Sequence, residues 1–208
     1  LSYLSVPVVV YWWLKDKTDK KSCLALSSVF GIWLLLLYKP AVNSRLFEFS
    51  PSSLALPFII IAFAMMEKRR WLFFAISMIF LLGLKEHMGI VLIGFGLYKI
   101  FQKDYSTGAL LSGLGFLISY TMIFQVMPYF RDYQPFINTQ IDPFHNIQGK
   151  LIYLVKLNWP LGFLPLIFWR YGILAAPAIG ANLISGRDAM FSSSFHHDDI
   201  SSILLLMT

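Results

Sequence analysis

From Trp71 to Phe101 the chain runs through an apolar stretch broken near its middle by three consecutive ionisable residues, Lys85, Glu86 and His87. As one helix that stretch would measure about 46 Å, against a hydrocarbon core of about 30 Å. The spacing therefore predicts a hairpin of two short helices, each about 20 Å long, with the triplet at the turn. A single steeply tilted helix is the competing reading, and it would reverse the side assigned to every later loop. Two charged groups at bilayer depth cost roughly 5 to 7 kcal/mol together, so a chain that keeps them is expected to use them.

The rest of the sequence has the same character. Hydrophobic residues make up 57% of the chain and charged residues 13%, where a soluble domain carries about 25% charge. Apolar stretches at Ser22 to Tyr38, Leu54 to Met66, Trp71 to Leu84, Met88 to Phe101, Gly108 to Met127 and Leu151 to Trp169 are separated by short polar segments. The expected fold is all-α: a polytopic transmembrane helical bundle of about eight or nine short membrane segments, without a soluble domain. Residues 1–208 read as one transmembrane domain. Apolar runs at both termini give it the look of a piece of something longer.

A net charge of +6 does not point to nucleic acid, because the cations are spread over short loops and form no single helix face. They alternate instead. Lys15, Lys17, Lys20 and Lys21, then Lys68, Arg69 and Arg70, then Lys99 and Lys103, and later Arg170 fall on one side under the hairpin reading. The longer intervening loops hold Lys39, Arg45, Lys85, Arg131, Lys150 and Arg187, while Lys156 lies within a span. The positive-inside rule makes the first set cytoplasmic. The single cysteine, Cys23, allows no internal disulfide and reads as a helix-packing residue.

With that topology all four histidines, His87, His145, His196 and His197, lie on the non-cytoplasmic side. Glu48, Glu86, Asp132, Asp142, Asp188, Asp198 and Asp199 join them, against Asp16, Asp19, Glu67 and Asp104 inside. The reactive surface is thus expected outside the cytoplasm.

Four outer segments carry the candidate residues. In Phe47 to Pro57, Ser50 and Pro51 read as the N-cap and first turn of a helix to Met66, and Glu48 places a carboxylate between two phenylalanines. In Lys85 to Gly89, a Lys85–Glu86 ion pair with His87 reaching for the surface is the plain reading. The functional one gives Lys85 an anionic phosphate, Glu86 a base or orienting role, and His87 a phosphate or hydroxyl contact. The loop from Met127 to Lys150 is rich in interfacial aromatics, with Arg131 beside Asp132. There Asp142 and Pro143 read as a cap for a helix whose Phe144, Ile147, Leu151 and Leu154 share a side. Gly186 to Ile200 is the most polar outer segment, with Arg187, Asp188, His196, His197 and Asp198, and with Asp199 as an N-cap. Neighbouring His and Asp residues could ligate a divalent metal, yet adjacent residues on one backbone seldom bind the same ion, so no cofactor is expected.

The succession FEFSPSSLALP, EKRRW, LKEHMGIVLIGFGLY, FQVMPYF, GANLISGRDA and FHHDDI resembles the predicted integral membrane proteins called domain of unknown function twenty seventy-nine, over roughly Ser22 to the end. Glu48, Pro51, Lys85, Glu86, Pro128, Arg187 and His196 match that pattern. The family has a histidine where Ser50 stands and an acid where His87 stands. The family is grouped with GT-C glycosyltransferases, so the resemblance implies a multi-pass enzyme of a bacterial or archaeal plasma membrane, or an inactive relative. It would take a sugar from a polyprenyl-phosphate carrier on the non-cytoplasmic face. In that reading Glu86, Glu48 and His196 are the catalytic candidates, and Lys85, His87, Arg187, His197 and Asp198 contact substrate. A transporter or channel with Lys85, Glu86 and His87 on an ion or proton path is the alternative from another class, and a scaffold presenting loops to partners is a third.

Overall fold

The computed structural model describes residues 2–32, 51–84, 88–130, 141–191 and 199–206. Among them regular structure is helical, apart from one isolated bridge between Ile141 and Ser185. The first five helices are α1 (Ser2–Leu14), α2 (Lys20–Ile32), α3 (Pro51–Glu67), α4 (Trp71–Leu84) and α5 (Gly89–Phe101). Pro51 occupies the first position of α3, where its missing N–H would have had no partner within the helix. The expected helix boundary is met there, while Ser50 lies outside the described residues.

Helix α3 is the centre of the bundle, packed against α1 and α4. Its Phe63 is fully buried, with ring centroids 5.8 Å from Trp13, 5.9 Å from Phe95 and 5.2 Å from Tyr98. The rings of Phe74 on α4 and Phe95 on α5 are 6.1 Å apart. On one straight helix those residues would be about 31 Å apart. The stretch Trp71 to Phe101 is therefore folded back as two helices, which removes the tilted-helix alternative.

Helix α6 (Tyr105–Thr121) continues through a π-helical turn, Met122–Val126, into α7 (Met127–Phe130). This 26-residue unit is the one described helix long and apolar enough to cross a bilayer. Ser5–Leu14, Leu54–Glu67, Trp71–Leu84 and Gly89–Phe101 are apolar but shorter. Leu110, Phe116 and Leu117 stand exposed on α6, while Gly108, Leu111, Gly115 and Ser119 form its buried stripe.

That stripe meets α5 at backbone distance. A Cβ added to Gly96 would lie 2.5 Å from the Ser112 nitrogen and 2.7 Å from the Gly108 carbonyl oxygen. One added to Gly115 would lie 2.8 Å from the Gly89 oxygen and 2.8 Å from the Ile93 nitrogen. Gly89 and Gly96 are seven residues apart, as are Gly108 and Gly115, so two antiparallel helices touch at two levels.

The remaining elements are α8 (Ile147–Asn158), α9 (Leu164–Ile167), α10 (Trp169–Gly172), α11 (Ala176–Ile184) and α12 (Asp199–Leu206). The apolar stretch Leu151 to Trp169 is thus not one helix. Pro160 has no N–H to continue the ladder, and Gly162 and Phe163 both adopt left-handed backbone, at φ 59° and 58°. Helix α12 starts at Asp199 and packs on α3 and α11.

The loops assigned to the cytoplasmic side converge at one end of the bundle. Lys17 is 3.2 Å from Glu67, Lys68 pairs with Asp16, and the Tyr98 hydroxyl donates to Glu67 Oε1 at 3.0 Å. Trp169 meets Phe101 at 5.0 Å and Tyr171 meets Tyr98 at 5.6 Å, which brings α10 to the same end. The two tight turns there use left-handed cations, Arg69 at φ 54° and Lys103 at φ 66°, a conformation that costs a non-glycine residue roughly 1–2 kcal/mol.

Gly96→Leu should therefore separate α5 from α6 and destabilise the protein by about 1–3 kcal/mol or more, seen as a lower Tm in detergent. Gly113→Ala, at a position with nothing within 4 Å, should leave Tm nearly unchanged. Asp104 caps α6 by accepting from the Thr107 N–H at 3.4 Å, and bonding to Thr107 holds its carboxyl below the ordinary value of 3.8. Because its folded pKa is the lower one, the cap's contribution is complete above pH 3.8 and lost as pH falls through the folded value. Asp104→Ala should accordingly lower Tm at neutral pH, with a difference from wild type that shrinks in acid.

Candidate functional site

Glu48, Lys85, Glu86, His87, His196, His197 and Asp198 lie outside the described residues. Arg187 is described. It is exposed in the turn between α11 and a 3-10 helix, Asp188–Phe191, and its backbone N–H donates to Ser185 Oγ at 3.1 Å. Around it the structure joins two of the outer segments singled out in the sequence.

The joint begins at the bridge between Ile141 and Ser185, where the Asp142 N–H donates to the Ile184 carbonyl at 3.1 Å. Asp188 Oδ1 then accepts from Asn146 Nδ2 at 2.8 Å and faces His145 Nε2 at 3.4 Å. Both of the latter side chains are substantially exposed, so this contact orients more than it stabilises.

Beneath it lies a buried cation. Lys150 is 5% exposed, and its Nζ donates to the carbonyls of Asp142 at 2.7 Å and Pro143 at 3.1 Å. The same ammonium stands 5.2 Å from the centre of the Phe191 ring. Two carbonyl dipoles and an aromatic face thus replace part of its hydration, and the lysine ties the 142–143 turn to the 188–191 turn.

Local sequence explains the turn geometry, with one change from expectation. Asp142 does not cap α8; its Oδ1 accepts from the N–H groups of Phe144 at 3.1 Å and His145 at 2.9 Å, closing a local turn. The cap is Asn146, at φ 46°, whose Oδ1 accepts from the Gly149 N–H at 3.0 Å. Asparagine tolerates left-handed backbone better than most residues, and the helix begins only at Ile147. Phe144, Ile147 and Leu151 are exposed as one stripe, with Lys150, Tyr153 and Leu157 buried on the opposite face. Below the cation, buried Asn182 donates to the Tyr153 hydroxyl at 3.1 Å and links α11 to α8.

Sequence reasoning placed Lys150 in a list of loop charges and missed its burial. The available signal was its position three residues before Tyr153 and seven before Leu157, on the inward side of an amphipathic helix. Cys23 is buried as expected, its thiol donating to the Tyr11 carbonyl at 3.2 Å.

Chain direction separates this cluster from the basic end. Tyr171 lies beside Tyr98 near the C-terminus of α5, and Leu174 meets Gly94 nearer its N-terminus, so the chain climbs α5 before α11 carries it on to Ile184.

Regular structure among the described residues is helical apart from one bridge, and one helix is long and apolar enough to cross a bilayer by length and composition. Over residues 2–197 the sequence matches the family described as Predicted membrane protein (DUF2079), and the chain belongs to that family. No curated protein and no solved structure matches it.

Lys150→Met keeps most of the side-chain volume but removes the donor to two buried carbonyls. A loss of about 1–3 kcal/mol is expected, together with faster hydrogen exchange at the Phe144 and His145 amides. Unchanged exchange at those amides would show that the lysine does not hold the turn.

Proposed function

We propose that the protein is a multi-pass, GT-C-like membrane glycosyltransferase, or an inactive relative of one, that handles a polyprenyl-phosphate-linked sugar on the non-cytoplasmic face. The observation that carries this reading is the lacing of the 141–150 segment to the 184–191 segment, away from the end where the basic loops gather. A transferase acting on a lipid-linked donor needs ordered polar loops at the rim of an apolar bundle, so that the phosphate is held at headgroup depth while the lipid tail stays in hydrocarbon.

In this reading Lys85 and Arg187 grip the lipid phosphate as charge-assisted donors. Glu86 and Glu48 supply carboxylates for proton abstraction or orientation of a hydroxyl, and His196 assists them. His87, His197 and Asp198 line the substrate. The order of the family motifs in the chain supports these assignments, and the joining of the two segments that flank Arg187 is compatible with them.

The full-length protein, purified and supplied with a labelled polyprenyl-phosphate sugar and candidate acceptors, should transfer label. Lys85→Ala and Glu86→Ala should each reduce that transfer by roughly 100-fold or more while leaving Tm unchanged. Normal transfer by both variants would sink the site assignment. A cysteine placed at position 87 should react with a membrane-impermeant thiol reagent from the non-cytoplasmic side alone; reaction from both sides would favour an ion or proton path.

A further inference from the structure

The end of the bundle where the basic loops converge holds more charge than its own contacts use. Lys17 and Lys68 are engaged, paired with Glu67 and Asp16 and lying 4.5 Å and 4.9 Å from the ring centres of Trp13 and Trp12. Arg69, Arg70 and Lys103 are different. None of them is within ion-pair distance of an acid among the described residues, and all three are exposed.

Two of these three also sit where a side chain is least welcome. Arg69 and Lys103 occupy the left-handed positions of the turns joining α3 to α4 and α5 to α6, where glycine would fold without strain. A cation at both costs folding stability, and neither forms an ion pair at contact distance among the described residues. The two turns are neighbours, since Arg69 contributes to the low pKa of Asp104 in the other turn.

What surrounds them identifies the partner. Trp71, Tyr105 and Trp169 are 42%, 64% and 52% exposed beside these turns, and the helices leading away from them expose Leu72 and Phe73 on α4 and Leu110 on α6. Exposed cations at the turns, exposed aromatic rings beside them and exposed aliphatic side chains on the helices behind match the layering of a phospholipid: phosphate, interface, acyl chain. A soluble polyanion would match the first layer only.

We infer that this end of the bundle is a docking surface for anionic phospholipid headgroups, with Arg69, Arg70 and Lys103 as the cations that contact phosphate. The surface is separate from the proposed sugar-transfer site and does not depend on that activity. Each cation near an anionic bilayer contributes about a fivefold preference, so three together give on the order of a hundredfold.

The test uses full-length protein in nanodiscs of pure phosphatidylcholine and of phosphatidylcholine mixed with phosphatidylglycerol, with retained lipid measured by native mass spectrometry. Wild type should retain phosphatidylglycerol preferentially and melt higher in the mixed discs. The triple variant Arg69→Gly, Arg70→Gln, Lys103→Gly should lose the preference by on the order of a hundredfold. In pure phosphatidylcholine it should melt at the same temperature as wild type or higher, because two strained positions have been relieved. The inference is overturned if the variant keeps its preference, if it melts lower by the same amount in both lipids, or if inorganic phosphate at moderate concentration competes the lipid away.

Discussion

The backbone contact between α5 and α6 is the constraint on which the arrangement depends. At Gly96 and Gly115 no side chain fits, and Gly108 and Gly89 face them across the seam. Without a hydrophobic driving force between helices in lipid, such close approach substitutes dispersion over a long contact for the solvent term that holds soluble cores together. The seam fixes α5 as a rigid strut. Phe95 and Tyr98 on that strut reach Phe63 of α3, Phe74 of α4 and Tyr171 of α10, so three further helices take their places from one pair.

The two ends of the strut are held by different physics. At the basic end the ties are ion pairs with partly exposed partners, 45% and 22% for Lys17 and Glu67, and such pairs contribute little to stability. At the other end Lys150 is buried and bound to carbonyls, and Asn182 meets Tyr153 out of water. Breaking either of those leaves a desolvated polar group without a partner, which costs far more than parting a solvated ion pair. The joint at Lys150 therefore rests on contacts that are costlier to break than those at the basic end.

Much of this frame was legible in the amino-acid order. Ser50–Pro51 marked the start of α3, the length of the apolar stretch marked the fold-back between α4 and α5, and the alternation of basic loops anticipated their convergence. Those signals are local, or depend on one bulk property of the solvent. The rest was not local. Asp142 and Asn146 both carry cap-forming side chains, and only the docking of the 184–188 turn decides that Asn146 takes α8 while Asp142 closes the turn before it. Lys150 looked like any loop cation because its partners are main-chain carbonyls, which sequence does not display. Pro160 gave notice of a break after α8, but the reversal through Gly162 and Phe163 needed two successive left-handed residues that no simple pattern specifies. For the candidate site, Arg187 alone among the sequence-derived residues can be followed into the structure.

Helix length connects the two ends to the proposed activity. Helices α4 and α5 have 14 and 13 residues and measure about 20 Å each, some 10 Å less than a typical hydrocarbon core. With the aromatic and basic turns at headgroup level, the opposite ends of both helices stop well inside the far hydrocarbon boundary. In the sequence Lys85, Glu86 and His87 fall between the two helices, and ionisable groups at that depth would favour a membrane surface that dips to admit water or a lipid headgroup. A short hairpin anchored at its basic end would therefore form a recess by mismatch. The proposed anionic-lipid contact at one end and the proposed lipid-phosphate substrate at the other would both follow from that length.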